Sequence, residues 1–327
     1  MKTRRIGEDT VSALGVGAMS FSPFFGPVDE SACHEVLDVA LDAGVTHVDV
    51  ANIYGMGAAE TVLGNWLRER GVRDRVHIAT KAGIRPGAER GFDNDPAYLE
   101  TELDGSLRRL GTDHVDLFYI HRREAERPIE EITEGLARIV ATGKARAIGF
   151  SEIAPATLHR ARAVHPVAAV QSEYSLQTRS PELGMVEACE RTGTALVAFS
   201  PVGRGLLTDQ PLTRQRVDAQ PFLKQIPRFS AENLPSNVAA SEPLRRLATE
   251  VGLTAAGLAV AWVLDRSPSV VAIPGTAKPG HMRGLIDGAL WEMTDEMRAA
   301  LDREMPAGWC EGARYSEAQA RGPEHFC

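Results

Sequence analysis

The sequence predicts an α/β fold: a (β/α)8 TIM barrel with an N-terminal β-hairpin and additional helices near the C-terminus. First, apolar runs of strand length alternate with helical segments eight times along the chain. Second, these strands are apolar at most positions, as parallel strands buried on both faces are. Third, no GxGxxG follows the first strand, which counts against the alternative, a doubly wound open sheet. We expect one domain over residues 1–327.

The chain begins with a hairpin and a first strand between Thr3 and Gly17, followed by an aromatic loop from Met19 to Pro27. Asp29 is a good N-cap for the first helix, which Gly44 ends. Glycine or proline then bounds most of the repeating units. The strands expected next are Val45–Ala51, Val76–Lys81, Val115–Ile120, Ala145–Phe150, Val167–Gln171 and Ala195–Phe199. The helices expected among them are Glu30–Ala43, Ala58–Arg70, Pro96–Leu110, Pro128–Ala141, Pro155–Val164 and Pro181–Arg191.

The last third of the chain is less regular. The segment from Gly203 to Asn233 has no clear periodicity, and loops of this length in compact domains are usually functional. The tail from Pro306 to Cys327 has no clear periodicity either. Between them we expect helices Ser236–Val251 and Thr254–Asp265, a last strand Val270–Ile273, a loop Pro274–Pro279 and a final helix Thr294–Arg303.

Composition excludes several classes of protein. Hydrophobic residues at 43% and charged residues at 24% are ordinary globular values, and the net charge of -8 argues against a nucleic-acid binder. No apolar run reaches membrane-spanning length. The cysteines are scattered and form no CxxC pair, so we expect reduced thiols, a cytoplasmic location and no metal site. Whether the protein is a monomer or a homo-oligomer is left open.

Polar residues end three successive strands, and together they predict an active site. Asp49, Lys81 and His121 lie at the carboxyl ends of their strands, and Tyr54 follows just after the first. In a barrel these ends form the catalytic face. An ammonium beside a phenol lowers its pKa and makes it a better acid, while Asp49 would hold Lys81 charged. The alternative for Asp49 and Lys81 is a buried ion pair with a structural role only.

The chain resembles the aldo-keto reductases, (β/α)8 enzymes that use a nicotinamide cofactor. The motifs that carry the resemblance cover nearly the whole length and keep the family's order. They are Asp49-x4-Tyr54-Gly55, Ile78–Lys81, Ser106–Gly111, His121, Gly149–Ser151, Val170–Ser175, Phe199–Leu207 and Ile273–Thr276. The stretch Pro227–Asn233 is similar to the bacterial branch that resembles plant auxin-induced-type reductases.

The resemblance implies that Tyr54 donates a proton, that Asp49 and Lys81 tune it, and that His121 orients the carbonyl. Ser151 and Gln171 would bind the nicotinamide carboxamide, and Phe199 would stack on the ring. The loop implied along the pyrophosphate comprises Ser200, Pro201, Val202, Gly203, Arg204 and Leu206. The residues implied at the adenosine end are Ile273, Gly275, Thr276, Lys278 and His281.

The expected cofactor is NADPH, with NADH possible. His281 stands where the family usually has an arginine, and Gly284-Leu285 replace the usual adenine-binding pair. Losing a guanidinium at a phosphate site removes bidentate recognition, for which Lys278 and Arg283 could compensate.

The expected substrate is a small aldehyde or ketone, or the corresponding alcohol. The residues implied around it are Met19, Phe21, Phe24, Phe25 and Arg122. The aromatic loop favours an apolar or ring-bearing substrate, whereas Arg122 and Arg123 allow an anionic one. Two other functions are weighed: a redox-sensing regulatory subunit of the same fold, and a metal-dependent barrel hydrolase, which would need clustered His and carboxylate ligands.

Overall fold

The computed structural model describes residues 1–87 and 91–325, without the side chain of Phe25. In chain order its strands are β1 (Thr3–Ile6), β2 (Asp9–Ser12), β3 (Gly15–Gly17), β4 (His47–Asp49), β5 (His77–Ala82), β6 (Ile84–Arg85), β7 (Gly91–Phe92), β8 (Val115–Ile120), β9 (Ala145–Ser151), β10 (Ala169–Glu173), β11 (Ala195–Phe199) and β12 (Val270–Ile273).

Helices follow or separate most of these strands. They are α1 (Glu30–Asp42), α2 (Ala58–Arg70), α3 (Pro96–Leu110), α4 (Ile129–Ala141), α5 (Pro155–Val164), α6 (Met185–Thr192), α7 (Arg214–Asp218), α8 (Pro221–Lys224), α9 (Asn233–Ala240), α10 (Glu242–Glu250), α11 (Ala255–Asp265), α12 (Pro279–Leu290) and α13 (Asp295–Glu304). The Asp29 carboxylate caps α1 by accepting from the backbone N–H groups of Ser31 and Ala32, as its sequence position predicts.

Eight parallel strands form the barrel in the order β3-β4-β5-β8-β9-β10-β11-β12. The first and last strands meet through a parallel bridge between Leu14 and Ala272, and Ala272 N–H donates to the Ala13 carbonyl over 2.9 Å. This is the barrel that the sequence predicts. All strands therefore point their carboxyl ends to one face, which is where the predicted site residues lie.

The antiparallel pair β1 and β2 closes the opposite end of the barrel. Ile6 and Val11, each 1% exposed, pack there against Ala168 and Ala195 from the starts of the strands β10 and β11. The predicted hairpin is thus present. Residues Val11 to Val16, in the second half of the predicted hairpin and first strand, are divided between β2 and the barrel strand β3.

Helices α11 and α12 pack closely through glycine. A Cβ on Gly288 would lie 2.1 Å from the Gly257 carbonyl oxygen, so the two backbones touch where neither residue has a side chain. Helix α12 was not predicted from the sequence, because Pro279 and three glycines resemble a loop. Proline suits the first turn of a helix, and Gly284 and Gly288 permit a close helix crossing.

Two predicted helices are interrupted. The segment Ser236–Val251 forms two helices, α9 and α10, which meet at Ser241 just before Pro243 enters the first turn of α10. The segment Pro181–Arg191 forms a 3-10 turn followed by α6, separated by Gly184 at φ 132°.

The irregular segment after β11 has its own apolar cluster. Its two short helices, α7 and α8, pack with the following 3-10 turn over eight buried side chains, Leu206, Leu212, Val217, Leu223, Ile226, Phe229, Leu234 and Cys310. Within the described residues no single helix is long and apolar enough to cross a membrane; α9–α10 and α11 pass that test only as a pair, which is bent by 92°.

Candidate active site

Four polar side chains meet at the carboxyl end of the barrel. Lys81, near the end of β5, has no exposed surface, and its ammonium contacts the Asp49 carboxylate at the end of β4. It also donates to the Val50 carbonyl over 2.8 Å and lies 3.4 Å from the Tyr54 hydroxyl. The His121 ring stands edge-on to the Tyr54 ring, with centroids 5.7 Å apart. The structure therefore brings together the four residues that the sequence places at this face.

Gln171 completes the environment of Asp49. Its side-chain amide donates to the second carboxylate oxygen over 2.8 Å. Both oxygens of a carboxylate that is 2% exposed are thus satisfied, as a buried charge requires. The family resemblance implied a cofactor role for Gln171, and this bond with Asp49 was not predicted.

The electrostatics of the cluster keep Tyr54 protonated. Burial raises the pKa of Tyr54 above its usual 10.0, and Asp49 adds to this, while Lys81 and Arg122 oppose it. Burial lowers the pKa of Lys81, but the interactions with Asp49 and Tyr54 together outweigh burial, so that the net pKa is raised and the ammonium keeps its charge. Lys81 thus acts on the phenol as expected, but burial has the larger effect.

A long cleft of about 1280 Å³ opens from Tyr54 and His121 and runs past β11 to the loop after β12. Many of the residues implied to hold the cofactor line it, namely Ser151, Gln171, Phe199, Ser200, Pro201, Val202, Arg204, Ile273, Gly275, Thr276, Lys278 and His281. The Gly203 backbone packs against the Gln177 side chain instead, and Leu206 is fully buried in the apolar cluster after β11.

The far end of the cleft carries positive charge. Lys278 lies there with Thr276, whose hydroxyl accepts from the Lys278 N–H over 3.1 Å. Arg216, on α7, lines the same region and is close enough to lower the pKa of His281, together with burial and Lys278. Arg283, expected to compensate for His281, is exposed and does not line the cleft.

The near end of the cleft is largely apolar. Of the residues implied around the substrate, Met19, Phe24 and Arg122 line it, whereas Phe21 is fully buried in the barrel core. The side chain of Phe25 lies outside the described residues. Additional apolar lining comes from Ile53, Met56, Ile84 and Pro86, which the sequence analysis did not predict.

A cluster of buried ions, which was not predicted from the sequence, lies beside the cleft. Glu173, which is 2% exposed, accepts from Arg204 over 2.8 Å and lies 3.6 Å from Arg314 of the C-terminal tail and 3.9 Å from Arg228. Burial alone would raise the pKa of Glu173, but the three guanidiniums outweigh it and lower the pKa to about 2. The only sequence signal was a carboxylate at the end of a strand.

The C-terminal tail is tied to this cluster. Arg314 forms an ion pair with Glu152, whose other carboxylate oxygen accepts from the Glu173 N–H over 2.8 Å. Glu152 has φ 60°, a left-handed conformation that is unfavourable for glutamate, and these contacts hold it there. The Tyr315 hydroxyl accepts a hydrogen bond of 3.1 Å from Arg204, and Tyr315 lines the cleft.

The fold and the cluster of Asp49, Tyr54, Lys81 and His121 together define a class of protein. A barrel with an Asp–Lys pair behind a tyrosine, a histidine beside it and a long cleft leading away has the arrangement expected of aldo-keto reductases. Among the described residues no group of three or more His, Cys, Asp or Glu side chains is placed to hold a metal ion.

Comparison with known proteins assigns the chain to this family. The model of the Aldo/keto reductase family matches residues 13–304, and the chain belongs to that family. It is 37% identical over 323 residues to aldo-keto reductase yakc [NADP(+)] from Schizosaccharomyces pombe, covering 96% of this chain and 94% of that protein. It is 37% identical to aldo-keto reductase str7 from Strobilurus tenacellus, and the match covers 92% of this chain and 91% of that protein.

A solved structure supports the same assignment. Glycerol dehydrogenase AKR11B4 from Gluconobacter oxydans superposes with a TM-score of 0.81 and 29% identity, covering 92% of this chain and 94% of that one. The chain is therefore an oxidoreductase of a family that acts on carbonyls, as predicted. The alternative of a regulatory redox sensor is not favoured, because these relatives are named as reductases.

Proposed function

We propose that the protein uses NADPH to reduce an aldehyde or ketone to the alcohol, reversibly, with Tyr54 as the proton donor. The observation that carries this proposal is the half-buried Tyr54 hydroxyl, 3.4 Å from a fully buried ammonium and facing the cleft. In the net reaction a carbonyl compound, NADPH and one proton give the alcohol and NADP+. The bound nicotinamide would supply the hydride.

The residues of the chain supply the proton and the charge that supports its departure. A carbonyl in the cleft would accept a hydrogen bond from Tyr54 and from His121. As negative charge develops on the carbonyl oxygen, the phenol proton moves to it and leaves a phenolate. Lys81 stabilises this phenolate, and Asp49 keeps Lys81 charged and fixed. In the reverse direction the phenolate accepts the alcohol proton.

The cleft fits a nicotinamide dinucleotide. Phe199 and Ile273 offer apolar surface near Tyr54, while Lys278 and Arg216 place positive charge at the far end, with Asp209 as the one acidic residue among the described lining there. Ser151 accepts from Arg122 over 3.0 Å, which leaves its own hydroxyl hydrogen to donate to a carboxamide oxygen. Lys278, Thr276 and Arg216 would hold the 2′-phosphate.

Replacing Tyr54 with phenylalanine tests the proposal. We expect NADPH-dependent turnover of simple aldehydes to fall by at least about two orders of magnitude, while the dissociation constant for NADPH, measured by calorimetry, changes little. Tyr98→Phe removes the hydroxyl of a tyrosine outside the cleft and should leave turnover unchanged. Full activity in Tyr54→Phe would refute the assignment.

Cofactor preference is tested separately. If Lys278 and Arg216 hold the 2′-phosphate, Lys278→Met and Arg216→Met should each weaken binding of NADPH and leave binding of NADH nearly unchanged. Equal binding of the two cofactors by the unmodified protein would contradict this part of the proposal.

A further inference from the structure

Arg122 is a buried arginine on the wall of the cleft. It follows His121 at the end of β8, is 7% exposed and lines the cleft. One terminal nitrogen, Nη1, donates to the His121 carbonyl over 2.6 Å and to the Ser151 hydroxyl over 3.0 Å. Among the described residues, nothing accepts a hydrogen bond from the buried Nε–H. The guanidinium on the cleft wall thus has N–H groups that are not used in hydrogen bonds to the described residues.

Among the described residues Arg122 has no counter-ion. In residues 1–87 and 91–325 no carboxylate comes within salt-bridge distance of its guanidinium. Nearby arginines differ: Arg123 pairs with Glu324, Arg204 with Glu173, and Arg314 with Glu152. A buried charge without a counter-ion is unfavourable, so an anion that entered the cleft would be attracted to this position.

The surrounding structure holds Arg122 in place. A Cβ on Gly322 of the C-terminal tail would lie 2.9 Å from Cδ of Arg122 and 2.8 Å from the Phe92 ring, so the tail backbone packs directly on the arginine stem. Asn94 donates to the Arg122 carbonyl over 3.2 Å. The guanidinium therefore cannot turn outward without moving the tail, and it is fixed before any ligand binds.

The guanidinium is close to the reacting position. Its charge acts on the Tyr54 phenol across the cleft and opposes the effect of burial on its pKa. Met19, Ile53 and Ile84 provide apolar surface at this end. Among the described lining residues at this end, the other cation is Arg85, which is already paired with Asp93 over 2.6 Å. One fixed guanidinium among apolar walls matches a single carboxylate better than a phosphate group, which needs more donors.

We infer that the protein selects carbonyl substrates that carry a carboxylate, and that Arg122 binds this carboxylate while the neighbouring carbonyl faces Tyr54. This inference rests on the proposed reductase function and adds the substrate class to it. Guanidinium binds carboxylate through directed N–H groups, so Arg122 sets both affinity and orientation.

The test uses matched acids and esters. The 2-, 3- and 4-isomers of formylbenzoate, each with its methyl ester, vary the distance between carboxylate and aldehyde while the ring stays the same. We expect at least one acid to exceed its ester in kcat/KM by about tenfold or more, mainly through KM. Arg122→Met should reduce this ratio to near one, and Arg122→Lys should retain part of it, because a single ammonium replaces the planar group.

Arg123→Met is the matched control, since it removes a guanidinium one residue away that Glu324 already neutralises and that does not line the cleft. It should leave the acid-to-ester ratio unchanged. Thermal unfolding of each variant shows whether it is folded. Calorimetric binding of NADPH to Arg122→Met should weaken by less than the acid-to-ester ratio falls, because Arg122 supports the cofactor site through Ser151, whereas the carboxylate of the substrate is its proposed direct partner.

Several results would overturn the inference. Turnover of the esters by the unmodified protein with no preference for any acid would reject it and leave the reductase function standing. An acid preference that survives in Arg122→Met and Arg122→Lys would also reject it. If Arg122→Met weakened NADPH binding by as large a factor as it lowered the acid-to-ester ratio, Arg122 would act on the cofactor and the inference would be rejected. No turnover of all six compounds would reject the reductase function, and this inference with it.

Discussion

Replacing Lys81 with methionine is the most informative single change at the candidate site. Lys81 has no exposed surface and makes three contacts, with the Asp49 carboxylate, the Val50 carbonyl and the Tyr54 hydroxyl. Methionine leaves Asp49 buried with Gln171 as its remaining donor. Removing one member of a buried ion pair destabilises a protein by about 3–5 kcal/mol, a large part of a total that is about 5–15 kcal/mol.

Turnover should fall as well, because the phenolate of Tyr54 loses its stabilising charge. Assisted proton transfer contributes about 10²- to 10⁴-fold in rate, and we expect a loss within that range. Urea unfolding measures the free energy of unfolding, and kcat with saturating NADPH and a simple aldehyde is measured at a temperature where the variant remains folded.

The double variant Asp49→Asn/Lys81→Met separates the two effects. It leaves neither charge buried, so the free energy of unfolding should return most of the way to that of the unmodified protein. Turnover should stay low, because Tyr54 still lacks the ammonium. Recovery of turnover together with stability would refute the reasoning and reduce Lys81 to a structural residue.

Two further predictions concern stability. His47 and His77 share a hydrogen bond of 3.0 Å between their Nδ1 atoms under the barrel, and burial lowers the pKa of both below 6.5. Above about pH 6.5 both rings are neutral in the folded and the unfolded protein, whereas below it the unfolded protein binds protons that the folded protein does not. Each histidine then lowers the free energy of unfolding by up to about 1.4 kcal/mol per pH unit. The urea concentration at the unfolding midpoint should therefore fall between pH 7 and pH 5, and less steeply in His77→Gln. Gly288→Ala should lower the melting temperature, because its Cβ would lie 2.1 Å from the Gly257 carbonyl, and the helix displacement costs about 1–3 kcal/mol. Gly280→Ala, on the same helix with nothing within 4 Å, is the control; an equal loss there would contradict the packing explanation.

The barrel could be predicted from the sequence because its strands are buried on both faces. Such strands form continuous apolar runs, and a polar residue at the end of a run is conspicuous. Asp49, Lys81 and His121 were found in this way. Helix α12 was missed because its residues Gly284 and Gly288 suit a close helix crossing, which resembles a loop when its partner helix is unknown.

The contacts between distant parts of the chain could not be predicted. Arg314 and Glu152 are 162 residues apart, and nothing in the local pattern shows that one arginine among many pairs with a given carboxylate. The pKa of Tyr54 was incompletely predicted for a related reason. The neighbouring charge of Lys81 could be inferred from strand order, but the extent of burial, which has the larger effect, depends on the whole fold.

The C-terminal tail shows how the fold separates chemistry from selectivity. The contacts of Lys81 with Asp49, Val50 and Tyr54 all arise within the barrel and the loop after β4. The tail contacts the walls of the cleft instead, through Tyr315 at Arg204 and through Gly322 at Arg122. A change in the tail therefore moves the walls that select a ligand before it moves the groups that transfer a proton. Substrate range in this chain should thus vary with the tail more readily than the reaction does.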